Sequence, residues 1–178
     1  FNVAPIRPEK ARTFELGYKG SIKDESIFID AGYYLTFYKD FIGYNIGLDA
    51  DFDPITRFPV GGIDAYRVAA NATSTVTTQG LSVSLNYYYK KLAYGVNYSY
   101  NVLNKKGTND PIIPAFNTPK NKFNISLTGS RIKLPKIKGE NFGFGINYKW
   151  IEGFVFEGSP QFTGNVPTYD MIDAQINY

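Results

Sequence analysis

From Leu92 to Val102 the chain alternates large apolar residues with small or polar ones, position by position. Successive side chains of a β-strand point to opposite faces. Leu92, Tyr94, Val96, Tyr98, Tyr100 and Val102 therefore make a greasy face, and Ala93, Gly95, Asn97, Ser99 and Asn101 a wet one. Roughly ten such residues suffice for a tilted strand to cross an outer membrane. About seven segments carry this pattern, which predicts strands at Thr13–Lys19, Ile27–Tyr38, a long Tyr66–Tyr89, Leu92–Val102, around Phe123–Leu127, Phe142–Trp150 and around Ile172–Tyr178.

The connections between these strands alternate in length. Gly20–Ser26, Lys90–Lys91 and Arg131–Gly139 are short or middling; Gly43–Gly62, Asn104–Pro119 and Ile151–Pro167 are long and read as irregular. Outer-membrane barrels have short periplasmic turns and longer extracellular loops. That rule puts the short set in the periplasm and the long set outside. Rings then fall at both expected water boundaries: Tyr18, Tyr87, Leu92, Tyr94 and Tyr178 near the periplasmic ends, and Phe37, Tyr98, Tyr100, Tyr148 and Trp150 near the outer ends. A soluble β-sandwich would use the same rings as core.

Composition sharpens this picture. The 178 residues have a mean hydropathy of −0.26 and no long apolar run, which excludes a transmembrane helix but not a barrel, whose strands are half polar. Aromatics reach 17%, as interfacial girdles require. Cys and His are both absent, removing disulfides, thiolate metal sites and the commonest general base. A net charge of +3 is too small to argue for nucleic acid. Phe1–Pro5 has no basic start or apolar stretch, so the chain is expected to be a processed or internal piece.

Four stretches resemble the TonB-dependent outer-membrane receptors. RPEKARTFELGY at Arg7–Tyr18 is similar to a strand opening in the later part of that barrel, and YYLTFYKDFI at Tyr33–Ile42 to the strand after it. FNTPKNKFN at Phe116–Asn124 resembles the start of a late strand, and VPTYDMIDAQ at Val166–Gln175 one near the end. The resemblance implies an all-β fold: an antiparallel up-and-down transmembrane β-barrel of the plugged, roughly 22-stranded type. Residues 1–178 would supply about seven of its strands, with the plug domain, early strands and last strands outside this chain. An open set of strands cannot stand alone in lipid, because its edges would be unpaired. The resemblance also implies active uptake of a scarce nutrient: a siderophore, cobalamin, a glycan or a peptide. The implied partners are outer-membrane lipid, the plug and remaining strands, the TonB complex and a surface lipoprotein. The alternatives are a passive porin, a soluble carbohydrate-binding β-sandwich, or an outer-membrane scaffold.

Candidate chemistry is sparse, and no cofactor is expected. Lumen-facing positions are Glu15, Lys19, Asp30, Asn86, Asn97, Ser99, Asn101, Asn124, Ser126, Asn147 and Lys149. Substrate-contacting rings in the long connections are Tyr44, Phe52, Phe58, Tyr66, Phe116, Phe154, Phe156 and Phe162, which can stack on sugars or pack on one another. Asp49, Asp51 and Asp53 have the spacing of a calcium loop, yet Pro54 and Val60 stand where it needs Gly and Glu. Gly143-Phe144-Gly145 lacks the helix of a dinucleotide fingerprint and reads as the wall of a crowded lumen. The sequons at Asn71, Asn97 and Asn124 read as inward polar residues. Asp170 and Asp173 fall on opposite strand faces, and Glu152 and Glu157 have no nucleophile beside them, so no catalytic set emerges.

Overall fold

The structure, a computed structural model, describes residues 5–105, 110, 117–135, 142–157 and 163–178. Regular structure among them is entirely β: β1 (Lys10–Ile22), β2 (Ile27–Lys39), β3 (Ile42–Asp49), β4 (Asp64–Asn71), β5 (Val76–Tyr89), β6 (Leu92–Lys105), β7 (Asn121–Ile132), β8 (Phe142–Ile151), β9 (Phe154–Glu157), β10 (Thr163–Val166) and β11 (Tyr169–Asn177). Seven of these strands form one antiparallel sheet in the order β1-β2-β5-β6-β7-β8-β11, with β1 and β11 at its open edges. Among the described residues no helix is long and apolar enough to cross a membrane, which says nothing of strands.

Register carries the two-faced pattern across the sheet. Tyr94, Val96 and Tyr98 lie opposite Leu127, Ile125 and Phe123. These face Ile146, Tyr148 and Trp150, and Ile172 and Ala174 continue the row. The polar row is equally consistent, running from Asn97 to Asn124 to Lys149. A one-residue slip would move every one of these side chains to the wrong face. One irregularity, between Gly129 and Ile132, coincides with a left-handed backbone at Arg131 (φ 53°), the mark of a bulge.

Much of the greasy row stands exposed among the described residues. Leu16 is 66% exposed, Ile125 48% and Ile176 76%. The buried apolar side chains among the described residues are Ala72 and Val76. A soluble domain of this length buries well over half of its surface around one core. The sandwich alternative fails here, because its core face stands bare.

The chain divides into two compact units, Phe1–Arg12, Thr36–Thr77 and Asn104–Ala115 in one, and Thr13–Leu35, Thr78–Leu103 and Phe116–Tyr178 in the other. In the first unit, β3 and β4 pair from Ile42↔Asn71 to Asp49↔Asp64. This corrects the expectation of an irregular Gly43–Gly62. Ile42, Tyr44, Ile46 and Leu48 alternate with Gly43, Asn45, Gly47 and Asp49, and that alternation outweighs the local Asp and Pro. Asn71 knits the hairpin base. Its amide donates to the carbonyls of Arg7 (2.8 Å) and Asp40 (2.7 Å) and accepts the Arg7 N–H (2.7 Å). Arg7 also pairs with Asp40 at 2.8 Å.

The expected long strand Tyr66–Tyr89 is in fact two, β4 and β5, broken at Ala72–Thr75. The break has a cause. The buried Asp110 carboxylate accepts the Ser74 N–H at 2.8 Å and the Thr73 hydroxyl at 3.1 Å, drawing the chain out of the ladder. In the second unit, the expected loop Ile151–Pro167 contains a further hairpin, Phe154↔Val166 to Glu157↔Thr163.

Candidate functional site

The polar face of the second unit carries a cleft of about 590 Å³. Its wall draws on Asp30 of β2, Ser82 and Ser84 of β5, Asn97 and Ser99 of β6, Lys122 and Asn124 of β7, and Lys149 of β8. Strands lie roughly 4.8 Å apart. One cleft touching β2 and β11, at opposite sides of that set, requires the sheet to curl towards its polar side. The volume falls within the range of small-molecule sites.

Each polar residue is on this face by strand parity, and several are already engaged. Asn124 donates to Asn147 at 2.6 Å. The Tyr34 hydroxyl donates to Asn101 at 2.9 Å. Lys19 and Asp30 pair at 3.1 Å, both well exposed, so the pair adds little stability. Gly143 and Gly145 stand where the Asn177 and Gln175 side chains lie across the sheet; a Cβ on Gly145 would sit 2.9 Å from the Gln175 amide nitrogen. The crowding expected at these glycines thus comes from β11.

Three groups remain available. The ammonium groups of Lys122 and Lys149 make no ion pair or hydrogen bond among the described residues. Ser99 Oγ is the buried side-chain polar atom among them that has no partner. The cleft thus offers two ammonium groups, a hydroxyl and several amides. Such a lining holds polar or anionic groups by hydrogen bonding and charge.

Pro119, Phe154 and Tyr169 bring apolar surface to the cleft. The polypeptide around them is tightly tied. The Glu152 carboxylate accepts both the Asn121 N–H (2.9 Å) and its side-chain amide (2.6 Å). Asn117 accepts the Glu157 N–H at 2.7 Å, and Thr168 Oγ1 accepts the Gly153 N–H at 2.9 Å. Glu152 is therefore occupied as a strut that fixes the hairpin bearing Phe154.

The other sequence candidates distribute unevenly. Glu15 and Asn86 share the polar face; Asn86 Oδ1 would lie 3.2 Å from a Cβ on Gly95. Phe154 lines the cleft, while Phe156 lies beside it in sequence and is exposed. Tyr44, Phe52, Phe58 and Tyr66 belong to the first unit and are exposed. There the Arg67 guanidinium stacks 3.5 Å above the Tyr44 ring, and Phe52 bridges to Pro59. Phe116 and Phe162 lie outside the described residues.

The Asp49, Asp51 and Asp53 set does not assemble: no group of three potential metal ligands exists among the described residues. Asp49 ends β3 opposite Asp64. The Asp53 carboxylate instead accepts the N–H groups of Thr56 (2.7 Å) and Ile55 (2.8 Å), and these bonds hold its pKa below the ordinary 3.8.

Sequence reasoning passed over Tyr34, Tyr169 and Lys122. Alternation placed Tyr34 on the wet face of its strand beside Asp30 and Gly32, and Lys122 has the parity of Asn124. Both signals were present in the pattern. For Tyr169 the alternation alone put the start of β11 too late, although the Val166–Gln175 resemblance already enclosed it.

The family profile described as TonB dependent receptor-like, beta-barrel matches residues 1–178. The FrpB iron transporter from Neisseria meningitidis (F5-1 variant, apoprotein form) superposes with a TM-score of 0.60 at 15% identity. The match covers 93% of this chain and 23% of that one, so the chain spans about a quarter of its neighbour's length. No curated protein matches by sequence.

Proposed function

This chain belongs to the TonB-dependent receptor β-barrel family of the outer membrane, and on that premise we propose that it is part of the wall of an active transporter that takes up a scarce nutrient. The family is one of receptors and transporters rather than enzymes, and its members work with a plug domain and TonB. The observation that carries the proposal is the bare greasy face backing a polar, cleft-bearing one. Lipid covers the first. The second, with Glu15, Lys19, Asp30, Asn86, Asn97, Asn101, Asn124, Asn147 and Lys149, lines the lumen against the plug. The long connections, with Phe154 nearest the cleft, meet the cargo on the outer side; the short turns lie in the periplasm.

The cargo is a siderophore, cobalamin, a glycan or a peptide. An iron complex is the first to test, because the structural neighbour is an iron transporter. The test is uptake of a labelled ferric chelate by cells whose only route is the full-length receptor. Collapse of the proton-motive force is expected to stop uptake. Uptake that continues down the gradient would make the protein a passive porin instead.

A further inference from the structure

At the end of the sheet that bears the β1–β2 and β5–β6 turns, three rings on the greasy face form a stack. Tyr87 lies 6.3 Å from Tyr89 and 5.9 Å from Tyr94, at 23° to each. Two ammonium groups sit on this stack: Lys23 Nζ is 6.0 Å from the Tyr87 centroid and Lys90 Nζ 5.1 Å from that of Tyr89.

Both lysines stand in tight turns. Both have left-handed backbones, φ 56° at Lys23 and 55° at Lys90, uncommon for non-glycine residues and typical of tight hairpin turns. The Lys23 carbonyl accepts from both the N–H and the hydroxyl of Ser26. The Tyr88 N–H then donates to the Ser26 carbonyl at 2.7 Å, tying the first turn to β5. Neither lysine has a carboxylate partner among the described residues, and the three phenol hydroxyls make no hydrogen bond there. In these two turns Lys23, Lys90 and Lys91 stand against the acids Asp24 and Glu25.

We propose that this Lys23–Lys90–tyrosine cluster is a binding site for the headgroup of an anionic phospholipid in the periplasmic leaflet. The proposal rests on the membrane-wall reading above. Two unneutralised ammonium groups flank one phosphodiester, the phenols donate to its oxygens, and the ring faces receive the glycerol and first methylenes. Charge selects the headgroup. Phosphatidylglycerol carries a net negative charge, whereas phosphatidylethanolamine would bring its own ammonium against both lysines. Each basic residue at an anionic lipid surface contributes severalfold in occupancy, so two give a preference on the order of tenfold.

The test uses the full-length receptor, folded in micelles, delipidated and titrated with phosphatidylglycerol or phosphatidylethanolamine, with bound lipid counted by native mass spectrometry. Roughly tenfold preference for phosphatidylglycerol is expected in the unaltered protein, close to none in the Lys23→Ala/Lys90→Ala variant, and restoration in Lys23→Arg/Lys90→Arg. Lys120→Ala is the control, since its ammonium lies 5.6 Å over the separate ring of Tyr100 and should leave the preference unchanged. Equal retention of the two lipids by the unaltered receptor overturns the site, as does an unaffected preference in the double alanine variant. Failure of the receptor to insert into vesicles of either lipid would instead sink the membrane-wall reading.

Discussion

Gly80 is a strand position with no room for a side chain. It is buried in β5 on the polar face. A Cβ there would meet the Tyr34 ring, sit 2.7 Å from Asn101 Oδ1 and 2.8 Å from the carbonyl oxygen of Tyr100. The last of these is backbone and cannot rotate away. Gly80→Ala must therefore push the ring aside and shift one strand. Forced overpacking costs roughly 1–3 kcal/mol, and losing the Tyr34–Asn101 bond about 1 kcal/mol more. Replacing glycine returns about 0.4–1 kcal/mol through the unfolded chain. The net expectation is a loss of about 2 kcal/mol, a shift of some 30-fold in the folding equilibrium. Urea unfolding of the full-length receptor in micelles, followed by tyrosine and tryptophan fluorescence, reads this as a lower midpoint at unchanged slope. In a Tyr34→Ala background the penalty should shrink without vanishing, because the Tyr100 carbonyl stays in place. A midpoint equal to or above the parent's would refute the packing argument; strict additivity of the two changes would refute the role given to the ring.

Two further expectations test the faces and the loop chemistry. Ile125→Arg, near the middle of β7 on the greasy face, should cost about 2–4 kcal/mol when folding is measured in lipid vesicles. A change within about 0.5 kcal/mol would mean that water touches that face. At Asp53 the folded pKa is depressed, so its turn is supported above the ordinary value of 3.8 and loses that support as pH falls through the lower folded value. Amide exchange at Ile55 and Thr56 should accelerate in acid below 3.8 relative to neighbouring amides once intrinsic rates are removed; equal protection at both pH extremes would contradict it.

Much of the sheet was legible because strand parity is a two-state code. Leu92–Val102 announced both of its faces, and the register with β7 and β8 preserved them. The hairpins were harder. In Ile42–Asp49 the same code was present, but Gly43, Asn45, Gly47 and Asp49 read as loop when counted by composition rather than by alternation. The break after Asn71 was not readable at all. It depends on the Asp110 carboxylate, far away in sequence, and no local pattern reports a long-range hydrogen bond. The site divides in the same way. Its polar floor followed from alternation at Asn97, Asn124 and Lys149. Its apolar contributors, Pro119 and Tyr169, did not, because a cleft is a property of how several connections fold back. The acidic triplet misled for the opposite reason: spacing suggested convergence, whereas Asp49 is committed to a ladder and Asp53 to its own turn.

The β3–β4 ladder closes on itself, from Ile42↔Asn71 to Asp49↔Asp64, so it needs no neighbour to satisfy its inner backbone groups. Such an arm is modular in evolution. Residues added to its tip in matched pairs, one per strand, lengthen it while each existing side chain keeps its side. A single unmatched insertion would invert everything beyond it or force a kink. Descendants of this gene can therefore trade the reach and lettering of the arm freely, provided that they count by twos.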